Sequence, residues 1–207
     1  MQKKTARYSA YMTLEQVIDV IKSAEHEGKM TVRLHTGDPS LYGAIREQMD
    51  RLDELGIKYD ICPGVSSFCG AAAALRAEYT LPDVSQTVII TRMAGRTPVP
   101  EKESIAALAA HNATMVIFLS TGLLKELSAE LIRGGYKPDT PAAIVYKASW
   151  ADQKVCRCTV EDLAQTASDN GITKTALICV GYFLGNDYSL SKLYDKSFET
   201  EFRKAEI

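Results

Sequence analysis

Apolar residues recur at helical spacing over residues 14–27, at Leu14, Val17, Ile18 and Ile21. That period marks one buried helix face. Thr13 is placed to cap the start and Gly28 to stop the end. The pattern then shortens. Residues 30–35 and Lys58–Ile61 read as short strands, separated by a helix over 43–55 that ends at Gly56. Ser67–Leu75 carries the run Ala71-Ala72-Ala73-Ala74 and favours helix. Leu81-Pro82-Asp83-Val84-Ser85 is the best linker, so the chain is divided into 1–82 and 83–207. Beyond it come a strand over Gln86–Thr91, a loop over Gly95–Pro100, helix 101–110, strand 113–119, helix 122–133, strand 142–147, helix 160–169 and strand 174–180. Alternating strands and helices with hydrophobic strands define an α/β fold. The tail Ser191–Ile207, mixed polar and aromatic, is expected to form a last helix or strand against a partner chain.

Two loops stand out in this pattern. Gly37-Asp38-Pro39-Ser40-Leu41-Tyr42-Gly43 follows the apolar run Thr31–Leu34 and opens onto a helix. Ile61-Cys62-Pro63-Gly64-Val65-Ser66-Ser67 repeats the arrangement ahead of the Ala-rich helix. Loops leaving the carboxyl ends of parallel strands are where α/β proteins bind ligands. Gly37 lets the backbone turn and a ligand approach closely, and Pro39 stiffens the turn.

Composition narrows the function classes. The 207 residues are 46% hydrophobic and 24% charged, ordinary values for a globular chain. A net charge of -2 argues against nucleic acid as the main partner. No apolar run has the length of a membrane span, and Met1-Gln2-Lys3-Lys4 does not open a secretory signal. A cytoplasmic location is the expectation. The five cysteines, Cys62, Cys69, Cys156, Cys158 and Cys179, are an odd count that fits reduced thiols. The Cys156-Arg157-Cys158 pair alternates as a strand does, and no second pair completes a zinc site. No metal is expected.

The paired loops also carry a resemblance. GDPSLYG followed by CPGVSS is similar to the loops of the tetrapyrrole (corrin/porphyrin) methylases, which bind S-adenosyl-L-methionine (SAM). Thr91-Arg92-Met93-Ala94-Gly95-Arg96-Thr97-Pro98-Val99-Pro100-Glu101 and Val145-Tyr146-Lys147-Ala148-Ser149-Trp150 look like the branch that methylates C11 of precorrin-4 or cobalt-precorrin-4 in cobalamin synthesis. The likeness runs from about Ser9 to about Arg203. It implies two α/β domains with the ligand cleft between them, a homodimer and a precorrin substrate. Family members start with a strand and a G-x-G-P-G-D loop, which this sequence lacks. The missing stretch is on the order of 30 to 50 residues, about one βα unit, so the expected first domain is incomplete and the expected chain less stable and less active than an extended form.

The resemblance also assigns candidate roles, each beside a plainer one. Asp38 can accept hydrogen bonds from the SAM amine or ribose, or simply close an Asx turn. Gly37 and Leu41 would line the cofactor; for Leu41, core packing is the alternative. Ser66 and Ser67 can bond the SAM carboxylate, or cap the helix that follows, and a helix N-terminus permits both. Leu119, Ala148, Thr175 and Ala176 match cofactor-wall positions; for Leu119, a buried strand end is the alternative. Arg92 and Arg96 are expected to bind substrate carboxylates, for which Arg suits bidentate contact; solvated surface charge is the alternative. Lys147 is a weaker candidate for that task, and Trp150 is expected to cover a core edge, with stacking near the ligand as the alternative.

No catalytic acid or base is assigned. Methyl transfer from a sulfonium needs alignment and exclusion of water more than proton transfer. The sequence holds no Ser-His-Asp set with supporting context and no H-E-x-x-H motif. Three other readings stand beside this one. They are another ring-position methylase, a non-catalytic SAM or tetrapyrrole binder, and a nucleotide-dependent oxidoreductase, which would need the absent G-x-G-x-x-G fingerprint.

Overall fold

The computed structural model describes residues 5–205. Residues 1–4, the polar start, and 206–207 of the tail lie outside the described residues. The chain forms two compact units, Met1–Ser67 and Phe68–Ile207. The 82/83 division expected from sequence falls inside the second unit, in a turn bridged between Leu81 and Ser85.

In the first unit, helix α1 (Leu14–His26) starts in a reciprocal capping box. The Gln16 N–H donates to Thr13 Oγ1 at 3.3 Å, and the Thr13 N–H donates to Gln16 Oε1 at 2.9 Å. Its face Val17, Ile18 and Ile21 packs with Leu52 of α2 (Arg46–Glu54), flanked by Met12, Leu14 and Ile57. Helix α2 begins later than the periodicity predicts because Tyr42 and Ala44 hold φ of 55° and 49°, which no helix continues.

The strands predicted at 30–35 and 58–61 do not form: neither segment belongs to a helix or a strand. A strand exists through its ladder, and among the described residues neither segment has one. The apolar side chains that suggested strands are left in solvent, with Met30 90%, Leu34 88% and Val32 68% exposed.

Helix α3 (Ser67–Leu75) leads into the second unit. There β1 (Val88–Arg92), β2 (Thr114–Phe118), β3 (Pro141–Tyr146), β4 (Lys154–Thr159) and β5 (Ala176–Val180) form a sheet in the order β1-β2-β5-β3-β4. Only β1 and β2 pair in parallel; β5 lies antiparallel between β2 and β3, and β3–β4 is an antiparallel pair. The sheet is therefore mixed. The seven-position loop 147–153 is too short for a parallel crossover and reverses the chain.

Both faces of this sheet are covered. Met115, Ile117, Ile144, Ile178 and Val180 face α4 (Ile105–Ala109), α5 (Leu124–Gly134) and α6 (Leu163–Asp169). Val116, Phe118, Val145, Leu177 and Cys179 face the other way, with α3, Tyr79 and Phe183. This is the two-residue alternation of a strand, apolar on both sides because both sides are buried. The tail forms neither helix α nor strand over its described residues; it is gathered by Arg203, whose Nη2 donates to the carbonyls of Leu193, Asp195 and Phe198 at 3.0, 2.6 and 3.2 Å. Among the described residues no helix is long and apolar enough to cross a membrane.

Candidate functional site

The first unit brings its two glycine loops together through Asp38. One carboxylate oxygen accepts from the Ser40 N–H at 2.8 Å and from the Ser40 hydroxyl, which is the Asx turn. The other accepts from the Gly64 N–H at 2.8 Å and so reaches the second loop. The Ser40 hydroxyl first, then the Gly64 and Ser40 N–H groups, hold the carboxyl below its ordinary value. The loops touch closely at backbone level. A Cβ on Gly64 would lie 2.3 Å from the Gly37 carbonyl oxygen, and Gly37 itself sits at φ 80°. Leu41 is half-buried, Ser66 is buried, and Ser67 is exposed at the first turn of α3. Gly37, Asp38, Leu41, Ser66 and Ser67 thus share one neighbourhood. A recess of about 470 Å³ in the same unit is lined by α1, α2, residues 30–33 and 57–62, and Pro39, and not by Asp38 or Ser66.

The second unit gathers its candidates at one edge of the sheet. The carboxyl ends of β1, β2 and β3 and the amino end of β5 meet there. The Met93 N–H donates to Ser120 Oγ at 2.9 Å, and that hydroxyl donates to the Phe118 carbonyl at 2.7 Å. Thr121 Oγ1 donates to the Ala176 carbonyl at 3.2 Å, and the Lys147 N–H to the Thr175 carbonyl at 2.9 Å. Leu119, Lys147, Ser149 and Thr175 all hold left-handed φ, at 53°, 46°, 70° and 57°. The predicted strands therefore stop short of 119, 147 and 174–175. Left-handed backbone costs non-glycine residues roughly 1–3 kcal/mol each, and such strain collects at functional sites. For β-branched Thr175 it is a genuine outlier.

Leu119 is 70% exposed, so it is not core packing, and Ala176 is buried. Ala148 sits between two strained residues, and a Cβ on Gly70 of α3 would meet its methyl at 3.5 Å.

The arginines behave differently from each other. Arg92 donates to the carbonyls of Met93, Thr97 and Pro98 at 3.3, 3.2 and 2.7 Å and shapes the loop 93–98. Arg96 is exposed on that loop and forms no ion pair among the described residues. Lys147 Nζ pairs with Asp152 at 2.5 Å and lies over the rings of Tyr146 and Trp150, 5.0 and 5.2 Å from their centroids. The Asp152 hydrogen bond raises the Lys147 pKa, and the same bond lowers that of Asp152. Trp150 is 56% exposed and covers Lys147, not a core edge.

Sequence reasoning missed Ser120, Thr121 and Asp152. The signal available was small polar residues at the ends of buried apolar strands, too common a pattern to single out these three.

These features define an α/β protein with paired glycine loops in one unit and a strained strand-end edge in the other. A family profile described as Tetrapyrrole (Corrin/Porphyrin) Methylases matches residues 1–164. The chain belongs to this family. A cobalt-precorrin-4 C(11)-methyltransferase of Methanocaldococcus jannaschii is 56% identical over 198 residues, spanning 95% of this chain and 76% of that protein. The solved structure of a cobalt precorrin-4 methyltransferase, a cobalamin biosynthetic enzyme, matches with a TM-score of 0.84 at 49% identity, covering 86% of this chain and 74% of that one. A Thermus thermophilus uroporphyrin-III C-methyltransferase complexed with S-adenosylhomocysteine matches at TM-score 0.67 and 20% identity, over 82% of this chain and 74% of that one, a likeness of fold alone.

Proposed function

We propose that this chain is a SAM-dependent C-methyltransferase that methylates C11 of precorrin-4 or cobalt-precorrin-4. The observation that carries the reading is the 56% identity to the Methanocaldococcus jannaschii enzyme across 95% of this chain. The residues fit the cofactor. The Gly37–Gly64 approach leaves backbone where side chains would stand. The first turn of α3 offers N–H groups suited to a carboxylate. In this reading Leu119, Ala148, Thr175 and Ala176 receive the adenosine part, a role supported by the left-handed backbone at Leu119 and Thr175 and on both sides of Ala148.

When bound, SAM supplies an electrophilic methyl whose S–C bond breaks as the new C–C bond forms, its electron pair leaving on a neutral thioether. The chain's task is to hold that methyl in line with an electron-rich ring carbon and to exclude water. Gly37, Asp38, Leu41, Ser66 and Ser67 hold the amino-acid end in this reading. Arg96 and Arg92 bind the precorrin carboxylates, Arg92 in part through the loop it folds. We place the enzyme in the cytoplasm as a homodimer.

The test is calorimetric titration with S-adenosylhomocysteine beside turnover of the tetrapyrrole substrates. Saturable binding with methyl transfer to C11 supports the reading. Binding without turnover makes the chain a SAM binder, and methyl transfer to another ring carbon makes it a different methylase of the family.

A further inference from the structure

The loop 147–153 joins β3 to β4 and carries Ala148 between two left-handed residues, Lys147 at φ 46° and Ser149 at φ 70°. Short-range bonds shape it: the Trp150 N–H donates to the Lys147 carbonyl at 3.0 Å, the Gln153 N–H to the Trp150 carbonyl at 3.1 Å, and the Ser149 N–H to Gln153 Oε1 at 2.7 Å. One long side chain crosses the loop. Lys147 Nζ lies over Tyr146 and Trp150 and ends on Asp152 Oδ2 at 2.5 Å. The Lys147 side chain is 23% exposed, well covered for a lysine, whereas Asp152 is 56% exposed. The same residue that ties its N–H to Thr175 thus ties its ammonium to the far side of the loop. The ion pair adds a side-chain tie to the Ser149–Gln153 and Trp150–Lys147 bonds, and it opposes relaxation of two unfavourable φ angles.

We propose that Lys147 and Asp152 are a positioning pair: their ion pair, closed over by Trp150, holds the 147–153 loop in its strained shape and so fixes Ala148 as a wall of the cofactor site. The pair acts on cofactor affinity and leaves the chemical step alone. Lys147 does not contact the cofactor; it acts through Ala148. This rests on the reading of Ala148 as a cofactor-lining position.

The test uses the full chain with Lys147→Met, Asp152→Asn, the double variant, and Lys147→Arg. S-adenosylhomocysteine dissociation constants come from titration, and KM for SAM and kcat from turnover at saturating tetrapyrrole. Each single variant is expected to raise the dissociation constant and the KM about tenfold, as loss of a pre-organised loop does, with kcat kept within twofold. The double variant should match the singles, because either change breaks one pair. Lys147→Arg should restore at least half of the lost affinity on a logarithmic scale. Thermal melts should stay close to the parent, since a partly exposed ion pair on a loop adds little to global stability. If the parent binds S-adenosylhomocysteine and both single variants bind it equally well, the pair has no positioning role. If Lys147→Met is far weaker than Asp152→Asn, Lys147 contacts the ligand directly and the proposal is wrong. If the parent itself does not bind, the cofactor reading falls first and this inference with it.

Discussion

Gly64→Ala tests whether the two glycine loops of the first unit make one seat. The added methyl would stand 2.3 Å from the Gly37 carbonyl oxygen, 3.0 Å from its carbon and 3.3 Å from Asp38 Cα. Comfortable contact needs roughly 3.5 Å, so one loop must retreat by about 1 Å. The retreat also stretches the 2.8 Å bond from the Gly64 N–H to Asp38. That bond is charge-assisted, so its loss works in the same direction as the clash. Overpacking adds roughly 1–3 kcal/mol. A displacement of about 1 Å at a positioning element can cost about 100-fold in function. The dissociation constant for S-adenosylhomocysteine, read by calorimetry, should therefore rise at least about tenfold, or about 1.4 kcal/mol. Gly37→Ala is the internal control. Its new methyl would meet neighbours only at 3.4 Å, leaving the unfavourable φ of 80° as its main penalty, about 1–2 kcal/mol. It should weaken binding less than Gly64→Ala. Gly64→Ala with affinity within twofold of the parent, or the reverse ranking of the two variants, would refute the shared seat.

Four further outcomes are expected. Gly134→Ala places a methyl 2.4 Å from the Ala106 carbonyl oxygen where α5 packs on α4, so it should cost about 1–3 kcal/mol and lower the melting temperature by roughly 2–4 °C per kcal/mol; an unchanged melt contradicts the close approach. The buried Thr140 hydroxyl has no hydrogen-bond partner among the described residues, so Thr140→Val should raise stability by about 1 kcal/mol in urea melts, and destabilisation would mean the hydroxyl is satisfied. Asp38 has a folded pKa below its ordinary 3.8; its contribution is whole above that value and is lost as pH falls through the lower folded one, so S-adenosylhomocysteine affinity should hold from neutrality down to about pH 5 and decline only below about 4, with Asp38→Asn lacking that acid limb. Arg96→Ala should weaken tetrapyrrole binding about tenfold in an absorbance titration while S-adenosylhomocysteine affinity stays within twofold; equal loss of both would point to a role in the loop's fold.

What the sequence revealed depended on whether the cause was local. Helix α1 was legible because Thr13, Gln16 and the Val17–Ile18–Ile21 stripe are neighbours in the chain, and the capping box closes within four residues. Strands β2 and β5 were legible because each is apolar on both faces. Their order was not, since periodicity says which way a side chain points and nothing about its partner. The insertion of β5 antiparallel between β2 and β3 is decided by long-range packing. Segments 30–35 and 58–61 show the converse: they have strand-like patterns and no ladder among the described residues. The Asx turn at Asp38 could be read from Asp38-Pro39-Ser40, but the bond to Gly64 spans 26 positions and could not. Left-handed backbone at Leu119 and Thr175 left no trace in residue type, because neither leucine nor threonine favours it.

That last point bears on how the second unit works. The groups whose titration is moved most by burial are Tyr79, Tyr136, Cys158 and Cys179, the two thiols being pushed up to about 11 and about 12. All four shifts oppose ionisation and come first from desolvation, so these groups stay neutral near pH 7 and serve packing. None is among Arg92, Arg96, Leu119, Ala148, Thr175 and Ala176. The strand-end edge instead concentrates backbone strain, with four left-handed non-glycine residues. Such residues persist only where the surroundings over-determine them. Here the surroundings include Ile117, Ile144 and Ile178, each fully buried and within two residues of the strand ends at the edge on β2, β3 and β5. A displacement at a methyl carbon needs fixed geometry, and rigid strands ending in strained turns supply it.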